Sequence, residues 1–89
     1  MGHPGRASLR RSLGQRLREL RLREGITSQE KLAHLAGVHR TYVGRLERGE
    51  SGVTVDALSA VLAAMDLSLA EFFKPFTEVV SPRTPRRRS

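Results

Sequence analysis

The run Gln29–Gly49, QEKLAHLAGVHRTYVGRLERG, decides the fold. Its apolar residues recur at helical spacing in two short blocks, separated by Gly37-Val38. Gln29–Ala36 puts Leu32, Ala33 and Ala36 on one face of a first helix. Gly37 and Val38 make the corner. His39–Arg48 forms a second helix in which Val43 and Leu46, three residues apart, turn inward. Arg40, Thr41, Gly44, Arg45 and Arg48 are left on its outer faces. Two short helices at a tight corner, the second with a cationic, hydrogen-bonding outer face, have the shape to enter a DNA major groove.

Working outward, an amphipathic helix precedes this unit. Leu13, Leu17 and Leu20 form a stripe, and Leu9 extends it backwards, so the helix is expected from Leu9 or Leu13 to Glu24. Ser12 with Gln15 forms a capping-box pattern, Ser8 is an earlier cap candidate, and Gly25 ends the helix. Arg16, Arg18, Arg21 and Arg23 decorate it. They are either a solvated face, with Glu19 in reach of Arg23, or contacts to phosphate. Thr27 and Ser28 compete to cap the next helix. Either choice leaves Gln29 in its first turn, where its amide and the free backbone N–H groups can meet a phosphate. A merely exposed polar residue is the plainer alternative.

Downstream, Gly49-Glu50-Ser51-Gly52 is a turn. Thr54 caps a fourth helix, Val55 to Met65, whose Val55, Leu58, Val61, Leu62 and Met65 make a broad apolar face. Ser68 with Glu71 is a capping box opening a fifth helix that carries Phe72 and Phe73 and stops at Lys74-Pro75. Phe76, Val79 and Val80 follow, and Thr77–Val80 is a weak strand candidate. The expected fold class is all-α: a five-helix bundle over residues 9–76, between a flexible segment 1–8 and a disordered basic tail 77–89.

The chain has 89 residues, which implies one domain with a modest core. It has no cysteine, which excludes disulfides and thiolate metal sites. His3, His34 and His39 lie on no metal-binding spacing, and no nucleophile–base set is focused, so neither a metal, a cofactor nor an enzyme is expected. No apolar run approaches the ~20 residues of a membrane span, and the start of the chain has no secretory h-region, so the expected location is the cytoplasm, on the nucleoid. The net charge is +7 and unevenly placed. Residues 1–49 hold eleven basic and four acidic side chains, residues 50–80 one Lys and five acids, and the last nine residues four arginines. That is the footprint of a face that binds a polyanion.

The motifs LRELR at 17–21, SQEKLAHLAGV at 28–38, RTYVGRLERG at 40–49 and VTVDALSAVLAAMDLSLAEFF at 53–73 together resemble the Cro and lambda-repressor type of helix-turn-helix domain, the XRE family. Within it, the RTY at 40–42 and the compact length look most like controller proteins of restriction–modification systems. The resemblance implies a lambda-repressor-like transcriptional regulator that binds a pseudo-palindromic operator as a homodimer. By position it implies that Arg40, Thr41, Gly44 and Arg45 face the bases and that Gln29 clamps a phosphate. Arg48 and the turn bearing Ser51 would touch the backbone again. It further implies an Arg21–Glu47 pair tying the first helix to the third, and a dimer interface around Phe72, Phe73 and Phe76. Double-stranded DNA is the expected partner, and no small-molecule ligand is inferred.

His39 stands where that family commonly has a Ser or Asp cap, so either the recognition helix is poorly capped with His39 a plain surface histidine, or His39 itself contacts a phosphate. Tyr42 covers a phosphate or packs on the core. Gly44 permits close approach to DNA or merely weakens the helix. The rival class is a protein-interaction module or antitoxin on the same fold, against which the arginines of the outer face argue.

Overall fold

A computed structural model describes residues 5–50 and 54–76 of the chain. Ser51, the tail from residue 77 and the Thr77–Val80 strand candidate therefore lie outside the described residues. The elements are α1 (Gly5–Arg23), α2 (Gln29–Ala36), α3 (Arg40–Glu47), α4 (Val55–Ala63) and α5 (Leu69–Phe73), followed by a 3-10 turn, Lys74–Phe76. Five helices and no strand make up the described residues, the all-α class that the spacing predicts.

Local chemistry sets the helix ends. Ser28, not Thr27, caps α2, its hydroxyl accepting from the Lys31 N–H at 3.0 Å. Thr54 caps α4 and Ser68 caps α5, the latter with the reciprocal Glu71 bond of a full capping box. At the corner between α2 and α3, Gly37 takes φ +71°. The Val38 N–H reaches back to the Ala33 carbonyl at 3.0 Å, the Schellman closure that a left-handed residue makes possible. The same closure after α4 puts Asp66, a residue with a Cβ, at φ +60°.

α1 departs from expectation at its start. It begins at Gly5, so Ser8 and Ser12 lie inside the helix and cap nothing. The expected Glu19–Arg23 pair is not what Glu19 makes; its carboxylate accepts from the Gln15 amide. Val55, expected on the apolar face of α4, is two-thirds exposed because it is the first residue of the helix.

One core joins all the helices: Leu17 and Leu20 of α1, Leu32 and Ala33 of α2, Val43 and Leu46 of α3, Leu58, Val61, Leu62 and Met65 from α4 and its exit, and Phe72. α1 and α3 touch backbone to backbone at Gly14. A Cβ there would lie within 2.8 Å of the Glu47 carbonyl carbon and against the oxygens of Leu46 and Glu47. The far end of the bundle is tied down by Arg16. Its guanidinium donates to the carbonyls of Phe72 (3.0 Å) and Glu71 (2.9 Å), satisfying the open C-terminal end of α5. These contacts hold Val43 and Leu46 of α3 in the core and leave its Arg40, Thr41, Arg45 and Arg48 exposed.

Candidate nucleic-acid interface

The site is built from the start of α2 and the solvent side of α3. Between them lies an open cleft lined by Ser28, Gln29, Arg40, Thr41, Gly44 and Arg48, among others. With Ser28 as cap, Gln29 and Glu30 are the first residues of α2, and their backbone N–H groups lie at the positive end of the helix. Arg40, Arg45 and Arg48 all present exposed guanidinium groups: their side chains are 67%, 49% and 57% accessible. Thr41 is exposed beside them. The cationic strip expected on α3 is therefore present and uncovered.

The buried anchor is the expected ion pair, enlarged by a third member. The Arg21 Nε donates to Glu47 at 2.7 Å and a second guanidinium nitrogen to the other carboxylate oxygen at 3.1 Å. The remaining η nitrogen donates to the Ile26 carbonyl at 2.9 Å. Both side chains are almost wholly buried. The same Glu47 oxygen that takes the Arg21 η nitrogen also accepts from the Gln29 side-chain amide at 3.0 Å. One carboxylate thus orients the glutamine at the mouth of the cleft and ties α1 to the end of α3.

His39 caps α3. Its Nδ1 accepts from the Thr41 N–H at 3.0 Å, doing the work of the Ser or Asp it replaces. With Nδ1 accepting, a neutral ring carries its proton on Nε2, and the residue is exposed.

Three expectations are corrected. Gly44 is buried, not turned to the bases: a Cβ there would meet the Arg48 η1 nitrogen at 2.9 Å and the Gln29 oxygen at 3.0 Å. Its missing side chain is what lets those two side chains converge. Tyr42 packs against the core with its hydroxyl buried and without a hydrogen-bond partner among the described residues, so it does not offer that group to a phosphate. Burial accordingly pushes its phenol pKa up. Phe72 and Phe76 are core residues, so of the three aromatic residues expected at a partner surface only Phe73 stays exposed. Of the α1 arginines left open, Arg16 is engaged within the chain, and Arg10, which the sequence reading did not single out, donates to the Gly49 carbonyl at 3.2 Å.

Sequence reasoning missed Glu50. Its carboxylate lies 2.7 Å from the Arg48 Nε and 3.5 Å from the Arg45 Nε. The Arg48 hydrogen bond, followed by the charges of Arg48 and Arg45, holds its pKa below the ordinary carboxylate value despite the opposing effect of burial. An acid directly after the LERG run was the available signal.

Residues 17–72 match the HTH_3 helix-turn-helix family model. The chain belongs to the HTH_3 family. It is 38% identical over 58 residues to control protein C.BamHI of Bacillus amyloliquefaciens, covering 65% of this chain and 72% of that one. It is 45% identical over 42 residues to control protein C.SmaI of Serratia marcescens, covering 47% of this chain and half of that one. Among solved structures it is similar to the restriction-modification controller protein C.AhdI from Aeromonas hydrophila, with TM-score 0.71 and 42% identity over 80% of this chain and all of that one. As an HTH_3 protein the chain is a DNA-binding transcriptional regulator, a family whose members are not enzymes. Among the described residues no helix is long and apolar enough to cross a membrane.

Proposed function

We propose that the chain represses or activates transcription as a homodimer on a pseudo-palindromic operator, placing α3 in the major groove of each half-site. The observation that carries this is the exposure of Arg40, Thr41 and Arg45 on one side of α3 while the opposite side is locked into the core. Arg40 and Arg45 read guanine through their paired donors, each good pair discriminating by ~1–3 kcal/mol. Thr41 donates to a base or packs its methyl on thymine. Gln29, held by Glu47, and Arg48 meet phosphates around the cleft, joined by the His39 Nε2–H at the start of α3. Such contacts position the helix without carrying sequence.

The similarity to controller proteins supports a role at a restriction–modification locus, acting on the nucleoid in the cytoplasm. Dimerisation is assigned to the surface around Phe73, which is 38% exposed and stacks edge-on to Phe72 at 5.1 Å. Two α3 helices then meet half-sites ~34–36 Å apart. Selection of bound duplexes from a random DNA pool tests all of this at once. The expected product is a two-fold-related motif with that spacing. Recovery of unrelated sequences, or monomer alone in sedimentation at high micromolar concentration, overturns the operator or the dimer respectively.

A further inference from the structure

Glu50 is a carboxylate on a surface that should meet phosphate. Left to itself it repels the partner the surrounding arginines attract, so its place needs a reason. The backbone holds it there deliberately tightly. Gly49 adopts φ +76° and packs so near α1 that a Cβ would lie 2.9 Å from the Arg11 Cα. The Gly49 carbonyl accepts from Arg10, and the Glu50 N–H donates to the Arg45 carbonyl at 2.9 Å. Glu50 is therefore anchored on both sides of its own peptide, below the last turn of α3. From there its two oxygens divide between two arginines: Oε2 to the Arg48 Nε at 2.7 Å, Oε1 toward the Arg45 Nε at 3.5 Å.

The atom engaged decides what this does. A guanidinium is planar, so anchoring Nε fixes the plane in which its η nitrogens lie. Long arginine side chains otherwise lose considerable rotamer freedom on binding. A contact that restrains them beforehand reduces that loss for a correctly placed base, while its negative charge lowers attraction to any phosphate. The first effect favours the right sequence over random DNA, and the second weakens binding to all DNA alike. The Arg40–Glu30 approach, 3.9 Å between two exposed side chains, is too loose to act the same way.

Resting on the reading of α3 as the base-contacting helix, we propose that Glu50 is a positioning and specificity-determining residue: it orients Arg45 and Arg48 for DNA and suppresses non-specific binding. Two variants of the full chain separate its parts. Glu50→Gln removes the charge and the ion pairs. Glu50→Asp keeps the charge but is one methylene too short to reach both arginines. Affinities for the selected operator and for a random duplex are measured across a salt series. Glu50→Gln is expected to bind random DNA ~3–10-fold more tightly, with a steeper salt slope, because one opposing charge is gone. Its operator-to-random ratio is expected to fall ~10-fold, a part of what one oriented arginine fork discriminates. Glu50→Asp is expected to lose ratio without gaining random affinity. The pairs are exposed, so both variants are expected to melt with the wild type. Should Glu50→Gln melt early, Glu50→Asp carries the comparison. A ratio within twofold of wild type, whether or not both affinities rise together, overturns the positioning role. Wild-type binding that is insensitive to salt and sequence defeats instead the base-contacting reading of α3, and the proposal with it.

Discussion

Replacing Arg21 by Met tests the anchor on which the interface rests. Arg21 and Glu47 are 5% and 3% exposed, and Arg21 makes three hydrogen bonds, two to the carboxylate and one to the Ile26 carbonyl. A methionine fills most of the volume and leaves those acceptors in place. Glu47 would keep only the Gln29 amide as a partner. A charge stranded in this way costs ~3–5 kcal/mol, the larger part being desolvation that nothing offsets. Small domains are stable by only ~5–15 kcal/mol, and one of this size stands near the lower end. At ~4–8 °C per kcal/mol the melting temperature should fall by at least ~12 °C.

Urea unfolding followed by circular dichroism measures the loss directly. With a slope of ~1–3 kcal/mol per M, the midpoint should drop by ~1 M or more at an unchanged slope. The double variant Arg21→Met with Glu47→Leu strands no charge, so it should recover more than half of the loss, since apolar residues often replace a buried pair without penalty. A midpoint within ~0.3 M of wild type in Arg21→Met, or no recovery in the double variant, refutes the argument that the buried charge needs its partner.

Gly14→Ala should destabilise the fold by ~1–2 kcal/mol, because the clash with the Leu46 and Glu47 carbonyls outweighs the ~1 kcal/mol that alanine gains in a helix; an equal or higher melting temperature argues against close α1–α3 contact. Asp66→Gly should raise stability by ~1 kcal/mol by relieving the left-handed backbone after α4, and a fall in melting temperature contradicts this. Arg40→Ala should relax base preference at one position of each half-site. Arg48→Ala should weaken all DNA alike and reduce the salt slope by about one, so equal slopes would remove Arg48 from the phosphate set. Glu71 is held below the ordinary carboxylate value, first by the Ser68 backbone N–H and then by the Ser68 hydroxyl. A lowered pKa stabilises the fold above the ordinary glutamate range, and that contribution is lost as pH falls through the lowered value. Glu71→Gln should therefore flatten the acid side of a stability–pH curve, and an unaltered curve would show that the capping box adds nothing.

The helix-turn-helix was legible because its signals are local: apolar spacing and a glycine at 37 each act within one turn of chain, while the sequence left Thr27 and Ser28 competing for the cap that Ser28 takes. Gly14 shows where local signals stop. A glycine inside the Leu13–Leu20 stripe weakens α1 by itself, and only the carbonyls of Leu46 and Glu47, more than thirty residues later, supply the reason for it. The corrected residues of α3 share one geometry. At ~100° per residue, Val43 and Leu46 define the inward direction, Thr41 and Arg48 point almost opposite, and Arg45 lies beside them. Gly44 lies as far from the inward direction as Arg45, ~130°, but on the other side, and Tyr42 lies ~70° from it. At a flank the pattern permits either burial or exposure, and the neighbour decides. Gly44 is roofed by Gln29 from α2 and by Arg48 from its own helix, while Tyr42 turns toward the core. Phe72 and Phe76, four residues apart, share a face, and Phe73 is turned off it. Glu50 was missed for a different reason. Its effect depends on the left-handed Gly49, which folds the chain back beneath α3 and sets an acid against two arginines that sequence spacing presents only as donors to DNA.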